Sequence, residues 1–194
     1  MKRIASLFLG AFIVIASALP SAAADTYALD VKGGHYYAGF QISHLGFSTM
    51  HGRFDKLDGT ITYDAANPAA SKVNIVIQAG SVNTNHAKRD GHLNSPDFFN
   101  TGEFPEITFV STKVEPGANG AAKVTGDLTM LGVTKSITLD ARTIKVGAHP
   151  FNKAPIAAWS ARGTLKRSDF GMNYGLPAIG ETVTLVLDVE GKKQ

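Results

Sequence analysis

The chain reads as an all-β protein, an antiparallel β-barrel of about eight strands with one short helical insert near residues 85–100. Three observations lead there. Apolar and polar residues alternate with period two in run after run, punctuated by Gly, Pro, Asn and Asp clusters. Only the stretch from Ser81 to Phe109 breaks that alternation. The chain has no cysteine, so its stability must come from a hydrophobic core and a sheet ladder, which suits a β domain of this size.

The N-terminus reads as an export signal. Lys2 and Arg3 precede an apolar run from Ile4 to Leu19, closed by Pro20 and the small residues Ser21, Ala22, Ala23 and Ala24. Cleavage after Ala23 or Ala24 satisfies the small-x-small pattern; residues 1–24 are taken as signal and residues 25–194 as one exported domain. The formal charge of +3 includes Lys2 and Arg3, so the mature chain is nearly neutral and no nucleic-acid partner is expected.

The elements follow in order. A short strand spans Thr26 to Val31. Tyr36, Ala38, Phe40, Ile42 and His44 share one face of the next, and Leu45-Gly46 turns into a run ending at Phe54. Ile61 and Tyr63 share a face before the turn Asp64 to Pro68, and Val73, Ile75 and Ile77 alternate after it. Beyond the insert, Ile107 and Phe109 start a strand that reaches the turn cluster Pro116 to Gly120. Val124, Gly126, Leu128 and Met130 face one way, Leu131-Gly132 turns, and Ile137 and Leu139 resume the inward face. Trp159, Ala161, Gly163 and Leu165 line up, as do Val183, Leu185, Leu187 and Val189. Closing the sheet on itself removes its edges, which favours a barrel; a two-sheet sandwich is the alternative, because alternation does not separate the two.

Within the insert, Asn85 is the expected cap of a helix through about Leu93. Ser95 followed by Pro96 reads as the start of a second helical piece. Leu93, Phe98 and Phe99 would pack down onto an open barrel end, with Lys88, Arg89 and Asp90 facing water or pairing.

A barrel of this size is either plugged by its own side chains or holds one small ligand. The inferred inward face mixes bulky residues with Ala38, Gly52, Gly126, Ala161 and Gly163, so the glycines mark either corners or room. If there is room, strand parity makes Phe40, Ile42, Phe54, Ile75, Ile77, Phe109, Leu128, Trp159, Leu165 and Leu185 its walls, with Leu93, Phe98 and Phe99 at one end. Such a tube selects an elongated apolar molecule with its polar head near a mouth. His44 falls inward at a strand end, where a hydrogen bond to a neighbouring loop is expected ahead of contact with a ligand head.

Catalytic signatures are missing from the sequence. The six histidines form no HxxxH or HExxH pattern, so no metal is expected. No GxSxG elbow accompanies Ser48, His44 and Asp55. Arg89-Asp90 and Arg167-Ser168-Asp169 read as surface or loop-anchoring pairs.

The segments FQISHLGFSTMHGRF (Phe40 to Phe54), SVNTNHAKRDGHLNSPDFF (Ser81 to Phe99), FPEITFVST (Phe104 to Thr112), VTGDLTMLGVTKSITL (Val124 to Leu139) and LKRSDFGM (Leu165 to Met172) together resemble the YceI family. The resemblance implies a lipocalin-like antiparallel barrel in the periplasm whose long hydrophobic pocket holds a polyisoprenoid, isoprenoid quinone or similar long-chain amphiphile without covalent attachment. It implies no catalytic residue and no cofactor beyond that ligand. A stress-response or interaction scaffold acting through exposed loops, Ala148 to Pro155 foremost, is the alternative. Homodimerisation and transient membrane contact stay open.

Overall fold

In a computed structural model, which describes residues 24–194, eleven strands and one α-helix follow one another along the chain. They are β1 (Asp25–Leu29), β2 (Tyr36–His44), β3 (Ser48–Phe54), β4 (Leu57–Tyr63), β5 (Lys72–Gln78), β6 (Val82–Asn83), α1 (Ala87–Leu93), β7 (Glu106–Pro116), β8 (Ala121–Met130), β9 (Val133–Ala148), β10 (Pro155–Lys166) and β11 (Ile179–Lys193). The signal expected over residues 1–24 lies, apart from Ala24, outside the described residues.

The eleven strands occupy eight positions of a closed antiparallel barrel, because three pairs are single staves interrupted by a loop or a short turn. β1 and β2 both run antiparallel to β11, Leu29 opposite Gly191 and Tyr36 opposite Val189. Between them the chain loops out and returns to one residue: Asp30 N–H donates to the Glu190 carbonyl and Glu190 N–H to the His35 carbonyl, each at 2.9 Å. β3 and β4 form the second stave and β5 and β6 the third, facing each other through Phe54–Val82 on one side of the break and Leu57–Ile77 on the other. Backbone bonds from Asp55 N–H to Ser81 O and from Gln78 N–H to Lys56 O carry the ladder through both breaks. β7 to β11 complete the ring in sequence order, and β1 closes it by pairing with both β4 and β11. The arrangement is an up-and-down barrel, which leaves no open edge around the ring and replaces the sandwich alternative.

Alternation decides what fills the ring. Phe109, Leu128, Val124 and Leu139 are buried on the inner face, as are Leu57 and Ile61 toward the other end. The β8–β9 hairpin turns at Leu131 and Gly132, both with positive φ (54° and 71°), as a two-residue type I′ turn requires.

The insert covers one end, and two local expectations are corrected there. The helix is capped by His86, whose Nδ1 accepts from Arg89 N–H at 3.2 Å. Asn85 instead holds φ at 59° and donates its N–H to Asn83 Oδ1, a conformation asparagine tolerates better than most residues. Ser95-Pro96 starts no second helix. The Ser95 carbonyl accepts from both Phe98 N–H and Asn100 N–H, and Asn100 is left-handed (φ 44°), so the chain turns tightly and drives Phe98 and Phe99 inward. Phe99 meets Phe54 edge-on at 5.4 Å between ring centres, and Phe98 meets Tyr174 at 5.2 Å.

Candidate ligand cavity

A cavity of about 630 Å³ runs through the barrel, within the size range of small-ligand sites. At the insert end its wall includes His44, Thr84, Leu93, Phe98, Phe99 and Tyr174; at the far end it includes Tyr63, Pro68, Pro116 and Arg142. Between them the lining is almost wholly aliphatic and aromatic.

Each wall residue expected from strand parity lines this cavity: Phe40, Ile42, Phe54, Ile75, Ile77, Phe109, Leu128, Trp159, Leu165 and Leu185, with Leu93, Phe98, Phe99 and His44 at the insert end. His44 stands exposed at the mouth, and it is its backbone carbonyl that accepts from Phe47 N–H in the adjacent turn. Trp159 is held on two sides, by Tyr27 at 5.4 Å and Tyr63 at 6.2 Å, both edge-on.

The inward glycines serve neither as plain corners nor as empty room. A Cβ on Gly52 would fall on the Phe40 ring, one on Gly126 on the Phe109 ring, and one on Gly163 on Leu139. Each glycine is a recess that accepts a neighbour's side chain against the wall, and that arrangement keeps the rings out of the lumen.

Of the two roles the sequence allows Arg167, surface pair or loop anchor, the structure shows the second, but from the interior: it is 1% exposed and lines the cavity. Its Nε donates to Gly180 O, Nη1 to Met172 O, and Nη2 to Tyr174 O and Ile179 O, all between 2.8 and 3.0 Å. The guanidinium therefore anchors the β10–β11 loop from within. Burial lowers its pKa from the usual arginine value, opposed by the charge of Glu181. A signal for this was present: the inward series Trp159, Ala161, Gly163, Leu165 extends by the same period to residue 167. Arg89 and Asp90 also take the loop-anchoring role, since both clasp Thr84: Arg89 donates from Nε to Thr84 Oγ1 and from Nη2 to Thr84 O at 2.7 Å each, and the Asp90 carboxylate accepts from Thr84 N–H and hydroxyl.

Among the described residues no group of three or more His, Cys, Asp or Glu is placed to hold a metal ion. Ser48 faces His44 across the β2–β3 ladder, but Asp55 lies at the far end of β3, its carboxylate bonded to Arg53 and Asn83 at 2.6 Å. The three do not form a triad.

A family model described as a YceI-like domain matches residues 27–191. The chain is 44% identical over 174 residues to the protein YceI of Escherichia coli, covering 90% of each. The solved structure of the Campylobacter jejuni YCEI protein aligns with a TM-score of 0.71 at 33% identity, over 78% of this chain and 90% of that one. A polyisoprenoid binding domain from Saccharophagus degradans shares the fold, with a TM-score of 0.62 at 19% identity, over 87% of this chain and 98% of that one.

Proposed function

We propose, on the premise that this chain belongs to the YceI-like family, that it binds a long-chain amphiphile in the barrel and works as a periplasmic carrier or reservoir, without turnover. The observation that supports this reading best is the continuous apolar lining from one mouth to the other. A polyisoprenoid or isoprenoid quinone is the ligand class proposed, in keeping with the polyisoprenoid binding domain that shares the fold. Each methylene moved from water into such a lining gains about 0.8 kcal/mol. About ten of them therefore contribute roughly 8 kcal/mol before the ordering costs of the chain, which suffices for binding with no catalytic group. Delivery to the periplasm rests on the signal read over residues 1–24.

Native mass spectrometry of the protein isolated from its own periplasm, followed by lipid extraction, tests the reading. A stoichiometric long-chain species is expected. Protein recovered empty, and unable to take up a polyisoprenoid alcohol added in detergent, overturns it.

One observation favours a second reading. Phe151, in the turn between β9 and β10, is 89% exposed, as a loop that docks a protein partner would present it. On that reading Phe151→Asp abolishes function while Ile75→Trp, which fills the lumen, leaves it intact; on the carrier reading the outcomes reverse.

A further inference from the structure

The charges on the cavity wall are of one sign. Among the described residues that line it none is Asp or Glu; the charged side chains are Arg89, Arg142 and Arg167, with His44 and His92 beside them. All but Arg142 belong to the insert end. His44 closes β2, Arg89 and His92 lie on α1, and Arg167 begins the β10–β11 loop, whose Tyr174 packs edge-on against His92 at 5.1 Å.

These groups differ in what they have left to give. Four of the five Arg167 N–H donors go to backbone carbonyls of its own loop and of the start of β11. No carboxylate lies within ion-pair distance among the described residues, for Glu181 is turned to Ser168 and Lys166. Arg167 thus adds positive potential from a dry position, where charge is weakly screened. His92 is engaged by Asp97 at 2.8 Å. Arg89 is half-buried and oriented by Thr84 through Nε and Nη2, while Nη1 has no acceptor among the described residues. The adjacent Asp90 is committed to Thr84. Arg89 is a pre-oriented guanidinium at the rim of an apolar tube with one nitrogen unused.

We infer that the cavity takes an amphiphile whose head is an oxyanion, phosphate or carboxylate, seated at the insert end with Arg89 as its direct partner. The inference rests on the lipid-binding reading above and specifies the head group. A charged oxygen acceptor forms charge-assisted bonds with the free guanidinium edge, about twice as strong as those of a neutral hydroxyl. The positive potential of Arg167 adds to that difference.

Three probes with the same chain separate the possibilities: geranylgeraniol, geranylgeranyl phosphate and geranylgeranoic acid, each titrated by displacement of a fluorescent apolar dye from the purified protein near neutral pH. The phosphate and the acid are expected to bind about tenfold more tightly than the alcohol. Arg89→Gln, checked for folding by circular dichroism, removes the preference, so that the three probes bind that variant with similar affinity. Lys88→Gln makes the same charge change on the exposed side of the same helix and keeps the preference. Equal affinity for all three probes on the unaltered protein overturns the inference while the lipid-binding reading stands, and so does a preference that survives in folded Arg89→Gln. Binding of none of the three overturns the lipid-binding reading and the inference together.

Discussion

The Phe40 ring on β2 lies over Gly52, its directly opposed partner on β3, in the space a side chain at residue 52 would occupy. The Phe109 ring likewise lies over Gly126 on β8, its diagonal neighbour, since its directly opposed partner is Leu128. The lumen is open because large inward side chains lean into recesses left by glycines on neighbouring strands.

Gly52→Val removes one recess. The obstructing atoms belong to the far end of a side chain, so the Phe40 ring is expected to swing into the lumen while the ladder stays intact. Stability falls by about 1–3 kcal/mol, the usual cost of overpacking. Uptake of a long-chain alcohol falls with it, and the two changes are read by urea denaturation and by dye displacement.

Phe99 joins the insert to the barrel. It is buried in the main core cluster against Phe54, and Phe99→Ala is expected to cost about 3–5 kcal/mol, as large aromatic truncations do. Phe98 is equally part of that core, so the segment is core packing as well as the cover of one cavity end. Urea denaturation of the single and double variants checks the cost. Hydrogen exchange checks that the insert, held chiefly by these contacts, loses protection before the strands do.

Asp30 gives the protein an acid limit. Hydrogen bonds from Lys192 and then His35 hold its carboxyl down from 3.8 to about 2, against the opposing effect of burial. The side chain is only 6% exposed. A depressed folded-state value means the carboxylate stabilises the protein above its unfolded value, near pH 4, and the contribution is lost as pH falls through about 2. Its size is about 2 kcal/mol. Urea midpoints measured between pH 5 and pH 2 should show that loss in the unaltered protein. Asp30→Asn should start less stable at neutral pH and lack this component of the acid slope.

Arg167 satisfies four backbone carbonyls at once, and Arg167→Met leaves them without their donor. Only the bond to Met172 O is fully buried, the other three being part-buried; with about 1–3 kcal/mol lost for an acceptor that water cannot reach and less for the others, a total of about 3–5 kcal/mol is expected. Arg167→Lys is expected to recover less than half of it, because an ammonium cannot present the planar fork those carbonyls surround. Chemical denaturation of both variants tests the expectation.

Much of the wall was legible in advance because facing in or out along a strand is a local property. Phe40, Ile42, Ile75, Phe109, Leu128 and Leu185 could be assigned by counting in twos. The cap of α1 was not legible: Asn85 is the residue type that favours a cap, and only the turn leaving β6 puts His86 at that position instead. Ser95-Pro96 misled for a related reason. Its local signal favours a helix, but burying Phe98 and Phe99 against Phe54 and Tyr174 requires a tighter turn, and burial outweighs a cap. The interior position of Arg167 was not legible because its period places it inward while its charge argues for solvent; its four carbonyl partners lie five to thirteen residues away along the chain and converge only in the folded loop.

The sequence by itself determined the all-β class, the inward face of each strand and the position of the insert, since period two and turn chemistry act over a few neighbouring residues. Tertiary structure alone decided that broken strands join into eight staves, that the sheet closes around an open lumen, and that the wall bears only positive charge at the insert end. Those outcomes depend on which residues meet across strands: a glycine becomes a recess, and an arginine an interior anchor, only when the opposing side chains and carbonyls are brought to it.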